Sequence, residues 1–138
     1  MRQSKVILFL FFAAVTSFLT GCAKDSSTTT TTSTGRDAFL GSWSVTEFHT
    51  KLTYDAIISA DPNSTNGVLI SGFAGTVKTG PAAGAVVSGT KITLDANQVI
   101  DGLKYNGSGT LSGKTIAWNY TIDDGANVIT AVATYTKK

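Results

Sequence analysis

The chain has 138 residues, with 11 basic and 9 acidic side chains, a formal net charge of +2 and a single cysteine. That balance excludes the strongly basic surface that carries nucleic-acid binding and the acidic runs that gather cations. One cysteine excludes a disulfide framework within the chain.

Arg2 and Lys5 open the sequence, and Val6 to Leu19 (VILFLFFAAVTSFL) is apolar except for Thr16 and Ser17. This run is shorter than the roughly 20 residues that a bilayer-spanning helix needs. A basic start, a short apolar core and small residues at its end describe an export signal over residues 1–21. Its loss removes Arg2 and Lys5 and leaves the remaining chain close to neutral.

Leu19-Thr20-Gly21-Cys22 resembles the lipobox of bacterial lipoproteins: an aliphatic residue, a small one, Gly or Ala, then Cys. Small side chains suit a peptidase at the scissile bond, and a thiol is the nucleophile that accepts a diacylglycerol. The resemblance implies that Cys22 becomes the first mature residue and carries thioether-linked lipid. Several acyl chains, at roughly 0.8 kcal/mol per buried methylene, make a firm anchor. A lipidated Cys22 leaves the exported domain to fold without a disulfide. The residue after Cys22 is Ala23 rather than Asp. By resemblance to Gram-negative sorting, that implies the outer membrane, on its periplasmic or its outer face.

Residues 22–36 contain an almost unbroken serine-threonine tract from Ser26. With no apolar side chain to bury, it has nothing to offset the entropy of ordering. It reads as a flexible tether without core contacts. Residues 37–138 are enough for one compact domain with one core.

Within that domain the pattern is alternation and turns rather than helix. Ser42 to Thr50 begins with Trp43 and Val45 on one face, and Tyr54, Ala56 and Ile58 share a face further on. Val68–Phe73, Lys91–Leu94, Leu103–Leu111 and Val128–Thr136 follow as strands. The clearest is Lys114–Ile122, in which Ile116, Trp118, Tyr120 and Ile122 alternate with smaller or polar residues, the period of two of a half-buried strand. Asn66-Gly67, Ser88-Gly89, Ser112-Gly113 and Asp124-Gly125 favour tight hairpins, because Gly and Asn tolerate positive φ. Short strands with such turns predict an all-β, antiparallel up-and-down meander of about eight strands, closed as a barrel or barrel-like sandwich. "VSGTKITL" (87–94) and "LSGKTIAW" (111–118) read as one hairpin solution used twice.

Motifs with chemical overtones resolve into structure. In "GSGTLSGKT" (107–115), the glycine that a phosphate loop requires is replaced by Ser108, and the stretch leads into a strand instead of a helix. His49 is the sole histidine; it is predicted on the same strand face as Glu47 with no third ligand nearby. Asp123-Asp124-Gly125 with Asn127 lacks the oxygen spacing of a calcium loop and reads as a turn. No catalytic residue, metal site or cofactor is expected, and no enzyme activity.

"FLGSWSV" (39–45) resembles the opening of lipocalins and fatty-acid-binding proteins, the calycin group. The resemblance implies that Trp43 closes one end of a barrel beneath a basic residue from near the end of the chain. In "AVATYTKK" that residue is Lys137. A cation over an indole contributes roughly 0.5–2 kcal/mol. The last strand departs from the group in lacking the Arg-x-Tyr pair that grips fatty-acid carboxylates.

The expected function is a membrane-anchored envelope lipoprotein that binds a small apolar ligand or a glycan in the barrel mouth. The alternative is an interaction or inhibitor module whose loops engage an envelope or host protein. A ligand carrier needs a void of roughly 300 Å³ or more; an interior filled by Trp43, Trp118, Tyr120 and phenylalanines points to loops and edges. One prediction needs only the sequence. Cys22→Ser should abolish lipid labelling and shift the protein from membrane to soluble fractions, as cell fractionation would show. Retention of the variant in the membrane without a protein partner refutes the anchor.

Overall fold

The computed structural model describes residues 35–138. The export signal, Cys22 and nearly all of the tether lie outside them.

The described chain is all-β apart from two 3₁₀ turns, Arg36–Ala38 and Phe73–Gly75. Its strands are β1 (Gly41–Glu47), β2 (Thr53–Ala60), β3 (Gly67–Ser71), β4 (Ala83–Ser88), β5 (Lys91–Leu94), β6 (Gln98–Ile100), β7 (Leu103–Ser112), β8 (Thr115–Asp123) and β9 (Val128–Lys137). Each pairs antiparallel with its neighbour in sequence, apart from β5 and β6, which both line β7. Between Thr93↔Ser108 and Gln98↔Tyr105, two extra residues are inserted opposite β7, and Asn97 absorbs them at φ 58°. Thus β5 and β6 act as one bulged strand. The Gln98 side-chain amide bridges the bulge, accepting from Gly84 N–H (2.5 Å) and donating to Gly84 C=O (2.9 Å). With β1 paired to β9, the sheet closes as an eight-stranded up-and-down barrel, and only closure removes every strand edge.

Period-two alternation sends Trp43, Val45, Ala56, Ile58, Val68, Ile70, Ile116, Trp118, Tyr120 and Tyr135 into the interior. The outer face is mostly polar, with Ser44, Thr46, Asn119, Thr121 and Thr134 between the core positions, the reverse of a membrane-spanning barrel. The repeated hairpin is real. The β4–β5 and β7–β8 links are two-residue loops, each with a glycine at φ 59° in first position (Gly89, Gly113), the requirement of a type II′ turn. The phosphate-loop look-alike is therefore the β7–β8 hairpin. Asp124 sits in the β8–β9 turn, accepting from the Asn127 and Ala126 backbone N–H groups (2.6 and 2.8 Å). These bonds hold its carboxyl below the usual carboxylate range, so the turn itself uses this side chain.

Several expectations need correction. The sequence pattern omits β4 and β6: Ala83, Gly84 and Ala85 give no alternation of large residues and Gln98–Ile100 is short, so pairing with β3, β5 and β7 defines them. β1 stops at Glu47, and His49 lies exposed in the following turn, so the two do not share a strand face. β3 stops at Ser71, and Phe73 leaves the strand. The β2–β3 link is a six-residue loop (61–66) rather than a hairpin at Asn66-Gly67; Gly67 stays at ordinary φ and lets Ser64 close against it. Arg36, assigned to the tether, donates to the Ser64 carbonyl at 2.7 Å and belongs to the folded domain.

The end at which the described chain begins, here the lower end, is sealed. Trp43 is fully buried, and its Nε1–H donates to the Phe39 carbonyl (2.8 Å). Lys137 stands directly opposite Trp43 in the β1–β9 register. Its ammonium donates to the Ala38 carbonyl (2.9 Å) and lies 5.4 Å from the centre of the indole. Gly41, at φ 124°, leaves room for the Lys137 stem, with Cε 3.6 Å from where a Cβ would sit.

Urea denaturation should show Trp43→Ala losing roughly 3–5 kcal/mol and Lys137→Ala losing less. The double variant should fall short of the sum, because both residues hold the same 35–40 segment. Strict additivity would mean that the two residues act independently.

Candidate functional site

The opposite, upper end is built differently. Glu47, the last residue of β1, continues the inward face of Trp43 and Val45 and is 4% exposed. It is the one buried charged side chain among the described residues. Tyr120 OH donates to Glu47 Oε1 in a short hydrogen bond, and Thr50 Oγ1–H donates to Oε2 (2.5 Å). No lysine, arginine or histidine among the described residues pairs with it; the ion pairs there join Lys78 and Lys138 to Asp55 on the outside.

Three tyrosines converge on this carboxylate: Tyr54 from β2, Tyr120 from β8 and Tyr135 from β9. The Tyr54 ring runs beneath the Phe73–Gly75 turn, 3.7 Å from the position a Cβ on Gly75 would take. Among the described residues Trp118 Nε1 and Thr76 Oγ1 are buried without a hydrogen-bond partner, and the Tyr54 and Tyr135 hydroxyls face one another without a well-formed bond. Burial pushes the hydroxyls of the three tyrosines and of Tyr105 on β7 above their ordinary value. The Glu47 carboxylate adds to the rise at each, and at Tyr120 it does so chiefly through their hydrogen bond.

Phe73 covers the cluster. Gly72 at φ 76° turns the chain off β3, in a spot where a Cβ would meet the Asp55 carbonyl at 2.8 Å. Ala74 (φ 51°) and Gly75 (φ 74°) keep the backbone left-handed, which for alanine costs on the order of 1–2 kcal/mol. The fully buried Phe73 ring meets Tyr120, Trp118 and Tyr105 at centroid distances of 5.0, 5.4 and 5.6 Å. The last two contacts are edge-on, the arrangement favoured by ring quadrupoles. Beyond this plug the rim carries exposed apolar side chains, Phe48 and Leu52 on the β1–β2 turn and Val128 at the start of β9.

An open cleft of about 450 Å³, lined by Arg36 and the β2–β3 loop, lies at the lower end. Its guanidinium is already engaged by loop carbonyls.

Of the residues singled out in the sequence, Trp43 and Lys137 meet at the lower end, Glu47 anchors the upper cluster, and His49 stands outside it. Cys22 lies outside the described residues. Among the described residues no group of three or more His, Cys, Asp or Glu side chains is placed to hold a metal. The sequence signal for Glu47 was its spacing from Trp43 and Val45. The tyrosines were visible as strand residues, but their convergence depends on closure. Comparison of the chain with family models, curated proteins and solved structures finds no match.

The raised phenol values have a pH consequence. A hydroxyl that ionises less readily folded than unfolded contributes stability that is complete below the unfolded value near 10 and is lost as pH rises beyond it. An absorbance titration should therefore show little tyrosinate near pH 10, with ionisation appearing together with alkaline unfolding. A substantial population ionising near pH 10 in the folded protein would contradict this burial.

Proposed function

We propose that this chain is a cell-envelope lipoprotein, held at the outer membrane through Cys22, whose lipocalin-like barrel is a non-catalytic binding module acting at its upper end. The observation that carries this reading is the contrast between the two ends. The lower end, where the tether joins, is sealed by Trp43, Lys137 and Arg36. The upper end is closed by a short turn over buried polar atoms that are poorly satisfied among the described residues. An unmet buried donor or acceptor costs on the order of 1–3 kcal/mol, and a bound ligand removes that cost. Gly41-x-Trp43 with Lys137 over the indole supports the calycin resemblance.

Phe73 and its aromatic neighbours fill the interior, which on cavity volume alone favours loops and edges, so in this reading a small ligand enters only by displacing the plug. That favours a compact ligand over a long acyl chain. The alternative, a protein partner engaged through the rim, draws support from Phe48 and Leu52, which are 60% and 56% exposed.

Tryptophan fluorescence on the purified full chain, screened with glycans and small aromatic and aliphatic compounds, tests the choice. Phe73→Ala should raise the affinity of any binder at least tenfold, whereas a Phe48→Ser, Leu52→Ser variant should not change it. If no compound binds the folded Phe73→Ala protein and an envelope protein binds only with the rim intact, the rim reading replaces the interior one.

A further inference from the structure

We infer that the upper interior is a site for a small organic cation, a protonated amine on an apolar body about the size of a benzyl group. The inference rests on the binding-module reading and names the ligand class for the same site.

Three observations converge. First, Glu47 is a buried carboxylate with hydrogen bonds from Tyr120 and Thr50 but no cationic partner among the described residues. A buried carboxylate is normally offset by a cation or a metal, so here the compensating charge is the missing component. Second, aromatic rings surround it. Tyr120 donates to it, its charge reaches the Tyr54, Tyr135 and Tyr105 hydroxyls, and Phe73 and Trp118 are in ring contact with these tyrosines. Ring faces attract cations, most strongly when desolvated, and a carboxylate among them selects a cation over a neutral ligand of the same shape. Third, the Tyr54 and Tyr135 hydroxyls are buried and face one another without a well-formed hydrogen bond among the described residues, so each keeps a lone pair able to accept from an ammonium group.

The Phe73 side chain shows what the apolar part of the ligand does. It is itself a benzyl group, fully buried and in ring contact with Tyr105, Trp118 and Tyr120. The turn that delivers it holds Ala74 at φ 51°, a costly conformation for alanine, and in this proposal the turn retreats when another group takes the place of Phe73. An amine-bearing ligand would fill the aromatic space left by Phe73 and, unlike Phe73, place a positive charge beside Glu47. Selection by Glu47 is thus electrostatic, and selection by the rings is for shape.

The test uses benzylammonium, benzyl alcohol and benzoate, which share the ring and differ in charge, titrated by calorimetry into the purified full chain. Phe73→Ala should bind benzylammonium at least tenfold more tightly than benzyl alcohol, with benzoate weakest. Adding Glu47→Gln to that variant should cut benzylammonium affinity at least tenfold and leave benzyl alcohol unchanged. Equal binding of the amine and the alcohol, indifferent to Glu47→Gln, overturns the cation assignment while leaving the binding module intact. No binding of any of the three to folded Phe73→Ala overturns both. If Phe73→Ala does not fold, the Trp118 indole N–H resonance of the unaltered protein serves instead. It should shift with millimolar benzylammonium and not with benzoate, and the absence of that difference overturns the proposal.

Discussion

Two strands of this barrel meet at Gly107 and Gly109, and the interior depends on their lack of side chains. In the β7–β8 register Gly107 faces Tyr120 and Gly109 faces Trp118. A Cβ on Gly109 would sit 2.7 Å from Ile116 Cγ2 and 2.9 Å from the Trp118 ring, and one on Gly107 would collide with Tyr120. An eight-stranded barrel is just wide enough for side chains to fill, so large rings on one strand require small residues opposite. Ala131 and Ala133 do on β9 what the two glycines do on β7: Ala133 pairs with Trp118 and Ala131 with Tyr120. Glycine weakens a strand taken alone, and here that cost is offset by burial of the two largest side chains of β8.

That volume matching also divides the barrel into two unlike ends. At the lower end the polar groups that accompany Trp43 find partners: the indole N–H on Phe39, the Lys137 ammonium on Ala38 and the Arg36 guanidinium on the β2–β3 loop. At the upper end the tyrosines bring hydroxyls inward that only partly satisfy one another, around a carboxylate with no counter-charge among the described residues. In a medium of low effective dielectric an unmet polar group weighs more than in water. The imbalance is therefore concentrated where the closing element is a short strained turn and not a paired strand. The well-satisfied polar groups thus sit at one end and the poorly satisfied ones at the other.

The barrel was legible in the sequence because period-two alternation is local. Ile116, Trp118, Tyr120 and Ile122 declare an inward face without reference to any other strand, and the Ser-Gly pairs at 88–89 and 112–113 declare their turns through φ alone. Where alternation of size was missing, at Ala83–Ser88, so was the strand. Where alternation ran on past its stop, the strand was drawn too long. His49 continues the spacing of Glu47 on paper, but the chain turns after Glu47, whose N–H takes the Leu52 carbonyl in the β1–β2 turn. Phe73 likewise extends an apolar run, yet Gly72 diverts it into the interior.

The sequence by itself determined most of the strand-forming segments, their inward faces and the Ser-Gly turns, and a resemblance to the calycin opening implied the pairing of Trp43 with Lys137. It determined these because each follows from backbone preference, from periodicity or, for Trp43 and Lys137, from a recognisable arrangement. Only the tertiary structure decided that Tyr54, Tyr120 and Tyr135, up to 81 positions apart, surround Glu47, and that Phe73 covers them. Closing a sheet brings together side chains whose only shared property in sequence is facing inward, and which of them meet is set by strand register, bulge position and ring volume.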